Sequence, residues 1–227
     1  KLPELTERAF SVAAPAGADT ARVRVIGIVP GELLTETLEA QLPVYGGLVT
    51  ADPAQDVLKL AVIERHGKGG LIGLGFVRGI GLKHGALAST VAHDSHNLVV
   101  VGAEDAAMLA AAREMGHMGG GQLVWGGSDD VTRLPLAVGG LMSREDAGMV
   151  AAEQGALLRA ARKLGMNVRA YFILGLPGQT RDEVRDTVAF LRDLDVKFFP
   201  SVYYNVRAPR EEWMMQRSSA FFNETED

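Results

Sequence analysis

Clustered glycines set the strongest limit on what this chain can fold into. They gather at 67–85 and again at 116–127, between short apolar runs. Glycine clusters so placed mean backbone at positive φ or two backbones in close approach. The apolar runs between them are therefore read as strands joined by tight turns. The 27 glycines among 227 residues stand well above the usual level of about 7%.

Residues 21–30 set Val23 and Val25 against Arg22 and Arg24, then continue through Ile26 to Val29 and stop at Pro30. This predicts a strand that is half-buried first and more fully buried later. Residues 57–65 and 71–80 predict two more, joined by His66-Gly67-Lys68-Gly69-Gly70. The runs 86–92 and 98–101 predict strands on either side of the polar knot His93-Asp94-Ser95-His96-Asn97. Residues 104–115 carry helix period, with Met108, Leu109, Ala112 and Met115 on one face and the segment Gly116 to Gly121 expected to close the helix. The runs 122–126 and 131–136 read as a hairpin.

From Ser143 onward the pattern changes. Ser143 with Asp146 predicts a capping box opening a helix over 144–164, and Thr180 with Glu183 a second one opening a helix to about 194. Strands are expected at 168–174 and 197–204. The charge run from Arg181 to Asp195 reads as the solvated outer face of that second helix. The fold class is α+β: a strand-rich, glycine-rich domain with few helices over 1–145, then an alternating α-β-α-β segment over 146–227.

Composition narrows the function classes. The chain is 47% hydrophobic and 22% charged, enough apolar material for a real core. A net charge of −5 gives no electrostatic footprint for nucleic acid or anionic lipid. No apolar run reaches the roughly 18 residues a membrane span needs. No sustained apolar segment precedes the small residues at 10–18, so a signal peptide is not expected and the expected location is cytoplasmic. Lys1 predicts a numbered chain that starts inside a longer reading frame or after processing. Cysteine is absent. That excludes disulfides, thiolate zinc sites, cysteine-ligated iron–sulfur clusters and a cysteine nucleophile.

The knot His93-Asp94-Ser95-His96-Asn97 is the main candidate for chemistry. Such a cluster at a strand end could bind a divalent metal, shuttle protons or hydrogen-bond the edge of a heterocycle. The plain alternative is a polar turn with Asp94 and Asn97 bonding local backbone. The glycines at 73, 75, 79 and 81 do not make G-x-G-x-x-G, and no helix is expected after them, so they read as twisted strands with glycine at bends. His66, His84 and His117 each stand beside glycines and read as solvated loop residues.

The stretches Val62–Gly67, Gly73–Lys83 and Gly85–Asn97 resemble the C-terminal part of bacterial adenine deaminases. The likeness runs on through Val99–Gly102, Glu104-Asp105, Met108, Gly119–Gln122, Leu134–Leu136 and Gly140–Ser143, and back through Val25–Gly31 to Leu5–Glu7. It covers about residues 5–145, and the run at 85–102 is highly specific. This resemblance implies hydrolysis of adenine to hypoxanthine and ammonia by a metal-dependent amidohydrolase barrel that precedes this domain. It implies Mn or Fe in the parent enzymes, with the ligands in the barrel and none in this chain. The barrel, in cis or in trans, is the implied partner, with adenine the substrate; a homo-oligomer stays open. His93, Asp94, Ser95 and His96 are the residues expected to approach the site, without metal ligation being assigned to them, and substrate-binding residues are unassigned.

After Ser143 the deaminase pattern is expected to fade. Residues 157–195, with Phe172–Thr180 at their centre, resemble the late βα units of radical S-adenosylmethionine enzymes. The C-x-x-x-C-x-x-C that holds the cluster in that family cannot be present without cysteine, so radical chemistry is excluded on ligand grounds. Two readings follow: a deaminase part that is inactive alone and completed by a barrel, or a non-catalytic accessory domain, including a chimeric truncated product.

Overall fold

In the computed structural model, which describes residues 2–30, 32, 34–92, 95–194 and 196–203, the short apolar runs pair into one large sheet. In chain order its strands are β1 (Val12–Ala13), β2 (Thr20–Ile28), β3 (Thr35–Tyr45), β4 (Leu48–Val49), β5 (Val57–Ile63), β6 (Ile72–Arg78), β7 (Ala86–Ser89), β8 (Leu98–Gly102), β9 (Gly121–Gly127) and β10 (Asp130–Pro135). They lie in the order β1-β4-β3-β2-β6-β5-β8-β7-β9-β10. All neighbours are antiparallel except β2 and β6, which run parallel and pair only at Ile26↔Val77 and Gly27↔Arg78. The α+β class expected from the sequence is the class observed.

The longest strand, β3, has no counterpart in the sequence reading. Its Leu38, Ala40, Leu42 and Val44 alternate with Glu39, Gln41 and Pro43, and it pairs along its length with β2. Arg22 and Arg24 of β2 are exposed, while Val25 is buried, so the alternation expected there holds; the fuller burial expected further along does not, because Ile26 falls on the face of the arginines and is 43% exposed.

Helix α1 (Asp105–Met118) packs Met108, Leu109, Ala111, Ala112 and Met115 onto one face of β5, β7, β8 and β9. That face supplies Ala61, Ile63, Ala86, Ala88, Leu98, Val100 and Leu123, all with no exposed surface. Each buried aliphatic side chain of Val, Leu or Ile size contributes about 1.5–3 kcal/mol. Gly102 permits the close approach: a Cβ there would lie 2.4 Å from Met108 Cγ. The helix closes within the expected Gly116–Gly121 segment, though it runs past residue 115. It runs one turn further to Gly119, whose left-handed φ of +76° provides the C-cap, while the bare Gly116 faces the Leu2 side chain.

Helix α2 (Ala147–Lys163) packs Leu157 and Ala161, with Leu164, onto the opposite face, over Leu58, Val77, Val101 and Val124. It starts later than 144, because Asp146 itself is the N-cap and accepts from Met149 N at 3.0 Å. Ser143 instead accepts from Glu145 N, so no Ser143–Asp146 capping box forms.

The chain divides into two compact units, Lys1–Val168 and Arg169–Asp227. The change of pattern read near residue 145 marks the entry to α2. Within the second unit, β11 (Arg169–Leu174) and β12 (Lys197–Val202) are parallel strands, with α3 (Arg181–Asp193) between them in sequence. The capping box at Thr180 and Glu183 is present: Thr180 Oγ1 accepts from Glu183 N, and Thr180 N donates to the Glu183 carboxylate at 2.7 Å. The Thr180 N–H, with the Thr180 hydroxyl donating at 3.1 Å, holds the Glu183 carboxyl below the usual carboxylate range. The tail from Arg207, read as having no clear period, lies outside the described residues.

Candidate functional site

Three connections meet at one end of the large sheet. The β5–β6 turn leaves Ile63 and returns at Ile72; the β7–β8 loop leaves Ser89 and returns at Leu98; Gly119–Gly121 leads into β9. Because Ile63 pairs with Leu98 and Ser89 with Gln122, these connections must lie side by side. The polar knot singled out from sequence belongs to the middle one.

Glu64 organises the β5–β6 turn. Its carboxylate accepts from the backbone N–H groups of His66, Lys68 (2.9 Å) and Gly70 (3.0 Å). The bond from Gly70, aided by those from His66 and Lys68, holds this carboxyl below its usual range. His66, read as a solvated loop residue, is exposed in this turn and also reaches the neighbouring loop: its Nε2 donates to Ser95 O at 3.0 Å. Arg65 reaches further. Nε donates to His96 O at 2.7 Å, and a terminal nitrogen donates to Gly139 O at 2.5 Å.

The base of the loop is fixed by Thr90, which is buried. Its hydroxyl donates to Gly140 O at 2.6 Å and accepts from Gly121 N at 2.8 Å. Gly140 makes room for this arrangement. A Cβ on it would lie within 2.8 Å of both the Arg65 guanidinium and the Thr90 hydroxyl, and its φ is +76°. A non-glycine side chain is thus refused twice, by space and by backbone conformation.

Of the four site residues read from sequence, the structure describes Ser95 and His96; His93 and Asp94 lie outside the described residues. Ser95 is exposed in a turn, with its hydroxyl accepting from Asn97 N. His96 is half-buried with a left-handed φ of +47°, and its N–H donates to Ala92 O. Its Nδ1 is buried with no hydrogen-bond partner among the described residues. Ser95 and His96 are therefore brought together with Arg65, His66 and Thr90, none of which the residue-by-residue reading placed in the site. No local signal marks Arg65 or Thr90, because their partners are 31 to 74 positions away.

The described residues do not fit a metal ion at this end of the sheet. The Glu64 carboxylate is turned onto backbone N–H groups, and His66 Nε2 is engaged with a carbonyl. Among the described residues no group of three or more His, Asp or Glu comes together. Beside the loop is a cavity of about 70 Å³ lined by Leu2, Arg65, Thr90, Leu98 and Met115. It is far below the roughly 300–1,000 Å³ of small-molecule sites. A larger hollow of about 640 Å³ lies where β2 and β6 part, lined by Arg24, Glu36, Leu74 and Phe76, with none of the loop residues. The glycine segment 73–81 forms no nucleotide cradle either. Gly73 and Gly75 lie within β6, and the N–H groups of Gly79 and Gly81 donate to Asp56.

Residues 32–175 match the model of the adenine deaminase C-terminal domain family. The match continues beyond Ser143, where the pattern was expected to fade, through α2 and β11. Adenine deaminase from Moorella thermoacetica is 45% identical over 177 residues, 76% of this chain and 30% of that protein. Adenine deaminase from Brucella anthropi is 44% identical over 156 residues, 69% and 28% respectively. The corresponding protein of Desulfatibacillum aliphaticivorans is 38% identical over 190 residues, 82% and 33%. The chain thus spans about a third or less of the relatives it matches. With nearly two thirds of its length inside the family model, and with the strand-end loops described above falling within the match, the chain belongs to the adenine deaminase C-terminal domain family.

Proposed function

We propose that this chain is the C-terminal part of an adenine deaminase and supports, rather than performs alone, the hydrolysis of adenine to hypoxanthine and ammonia. In that reaction a C6–O bond forms from water, the C6–N bond breaks, and the amine leaves as ammonia. The observation that carries the reading is the relatives' coverage: each adenine deaminase matches most of this chain, while this chain matches only about 26–33% of each deaminase. The missing share is large enough for a catalytic barrel. A Mn or Fe ion belongs in that barrel, where it would supply a hydroxide at neutral pH.

The role of this chain's residues is then to hold a loop. Arg65 and His66 grip the carbonyls of His96 and Ser95, and Thr90 ties the base of the loop to Gly121 and Gly140. His93, Asp94, Ser95 and His96 are the candidates to reach the barrel's substrate from that platform. The proposed location is cytoplasmic; among the described residues no helix is long and apolar enough to cross a membrane.

A second reading is favoured by one observation, the lack of a fitting donor set among the described residues. It makes the chain a non-catalytic accessory domain. The likeness of residues 157–195 to radical S-adenosylmethionine βα units carries no functional reading, since residues 157–175 fall inside the deaminase family match.

One assay separates the readings. The chain is mixed with adenine and Mn²⁺ or Fe²⁺, with and without a separately expressed deaminase barrel, and ammonia is measured. The expected result is none from the chain alone and more from the mixture than from the barrel alone. An identical rate with and without the chain overturns the proposal in favour of the accessory domain.

A further inference from the structure

The two faces of the central strands are covered unequally. Under α1, the side chains of Ala61, Ile63, Ala88, Leu98 and Val100 are sealed. On the α2 face, strand register places Gly73, Val62, Val99, Ser89 and Gln122 in one row across β6, β5, β8, β7 and β9. Helix α2 seals Leu58, Val77, Val101 and Val124 two rows or one row away, yet each of these five residues keeps exposed surface. Gly73 is exposed, and a Cβ on Gly73 or on Gly75 would meet nothing within 4 Å.

The same face continues onto β2 and β3, where it carries Arg22, Arg24, Glu39 and Gln41. Those side chains suit water, and Arg22 pairs with Glu39 at 2.7 Å. The central row carries no charge. It therefore has the composition of an interface core, depleted in charge and rimmed by polar groups, next to a surface already composed for solvent. At one end it meets the β7–β8 loop that holds Ser95 and His96, so whatever covers the row is brought to that loop.

We infer that this uncovered row is the docking surface for the catalytic barrel of an adenine deaminase. The inference rests on the functional reading proposed above. Its occupant is named by two facts: about 70% of the matched relatives lies outside this domain, and the row is continuous with the candidate loop. The glycines at 73 and 75 allow another element to lie flat against the β6 backbone.

The test uses the chain with the portion of the Moorella thermoacetica adenine deaminase that it does not match, first verified as folded by circular dichroism. Sedimentation velocity measures complex formation. The unaltered chain is expected to bind, and the pair Val62→Glu, Val99→Glu to weaken binding by at least about tenfold. Arg24→Glu, on the charged part of the same face, is expected to leave affinity within about twofold. Should the glutamate pair unfold the domain, Val62→Thr with Val99→Thr keeps the shape and carries the comparison. Binding untouched by the row variants overturns this docking surface and leaves the functional reading standing. No binding by the unaltered chain overturns the functional reading, and the inference with it. Self-association of the chain that the row variants abolish overturns the barrel as occupant in favour of a second copy.

Discussion

The α1 face and the α2 face of strands β5, β7, β8 and β9 are built from neighbouring residues of the same short runs, yet they are finished differently. Val100 has no exposed surface, while Val99, next to it in β8, keeps some. The sealed face is tight enough to hold a lysine. Lys59 is 2% exposed, and its ammonium donates to both Asp105 oxygens at 2.7 Å and to Phe10 O at 3.0 Å. Three donors meet three acceptors, so the charge is satisfied as well as buried. The difference teaches that burial here is decided by what lies over a strand, not by the hydrophobicity of the strand.

The sharpest way to break the comparison is at that ion pair. Asp105→Ala leaves a buried ammonium with one acceptor where it had three, and removing one partner of a buried pair costs about 3–5 kcal/mol. Thermal or urea unfolding is expected to show that loss. The double change Lys59→Met, Asp105→Leu is expected to recover most of it, because apolar replacements of similar volume relieve the desolvation of both charges. A loss under about 1 kcal/mol for Asp105→Ala would mean that the α1 face admits water at Lys59.

A smaller test sets the two valines against each other. Val100→Ala removes buried methyl groups and leaves a cavity under α1, for an expected cost of about 2–3 kcal/mol. Val99→Ala, on the half-covered row, is expected to cost less than about 1 kcal/mol in the isolated chain. Equal costs in urea titrations would remove the asymmetry between the faces. If the barrel covers the row, the Val99 variant should become the more damaging of the two for complex formation.

Much of the sheet was legible because strands announce themselves locally. The runs at 57–65, 71–80, 86–92 and 98–101 each contain the strand observed, trimmed by a few residues at the ends or extended by one. The β2 alternation even told which side chains meet water, since Arg22 and Arg24 stand between valines. In β8 the apolar run is continuous, and in β5 the one charge, Lys59, sits on the sealed face with Ile63, so no alternation distinguishes Val62 and Val99 from Ile63 and Leu98. Which face would be sealed depended on α1 and α2, which come later in the chain. β3 was missed although Leu38, Ala40 and Leu42 alternate with polar residues. The candidate loop was legible as a polar knot. The Arg65, His66 and Thr90 contacts that fix it were not, because they are made only once distant strands have paired.

The gentlest prediction concerns the loop end of the sheet, where a carboxylate substitutes for packing. Glu64 is held ionised by three backbone N–H groups, chiefly that of Gly70, and its folded-state pKa is lowered. A lowered carboxylate pKa means that the folded turn prefers the charged form. Its contribution is therefore complete above the ordinary glutamate value of about 4.3, and is lost as pH falls through the lower folded-state value. Amide hydrogen exchange, corrected for its intrinsic pH dependence, is expected to show Lys68 and Gly70 losing protection over that acid range. Val100, under α1, is expected to keep its protection there. Glu64→Gln should flatten the acid dependence at Lys68 and Gly70, since an amide carries no proton to gain. Protection at these two amides that is independent of pH in the unaltered protein would show that the turn is held by its neighbours instead. The His66 and Arg65 bonds to the Ser95–His96 loop would then be its true support.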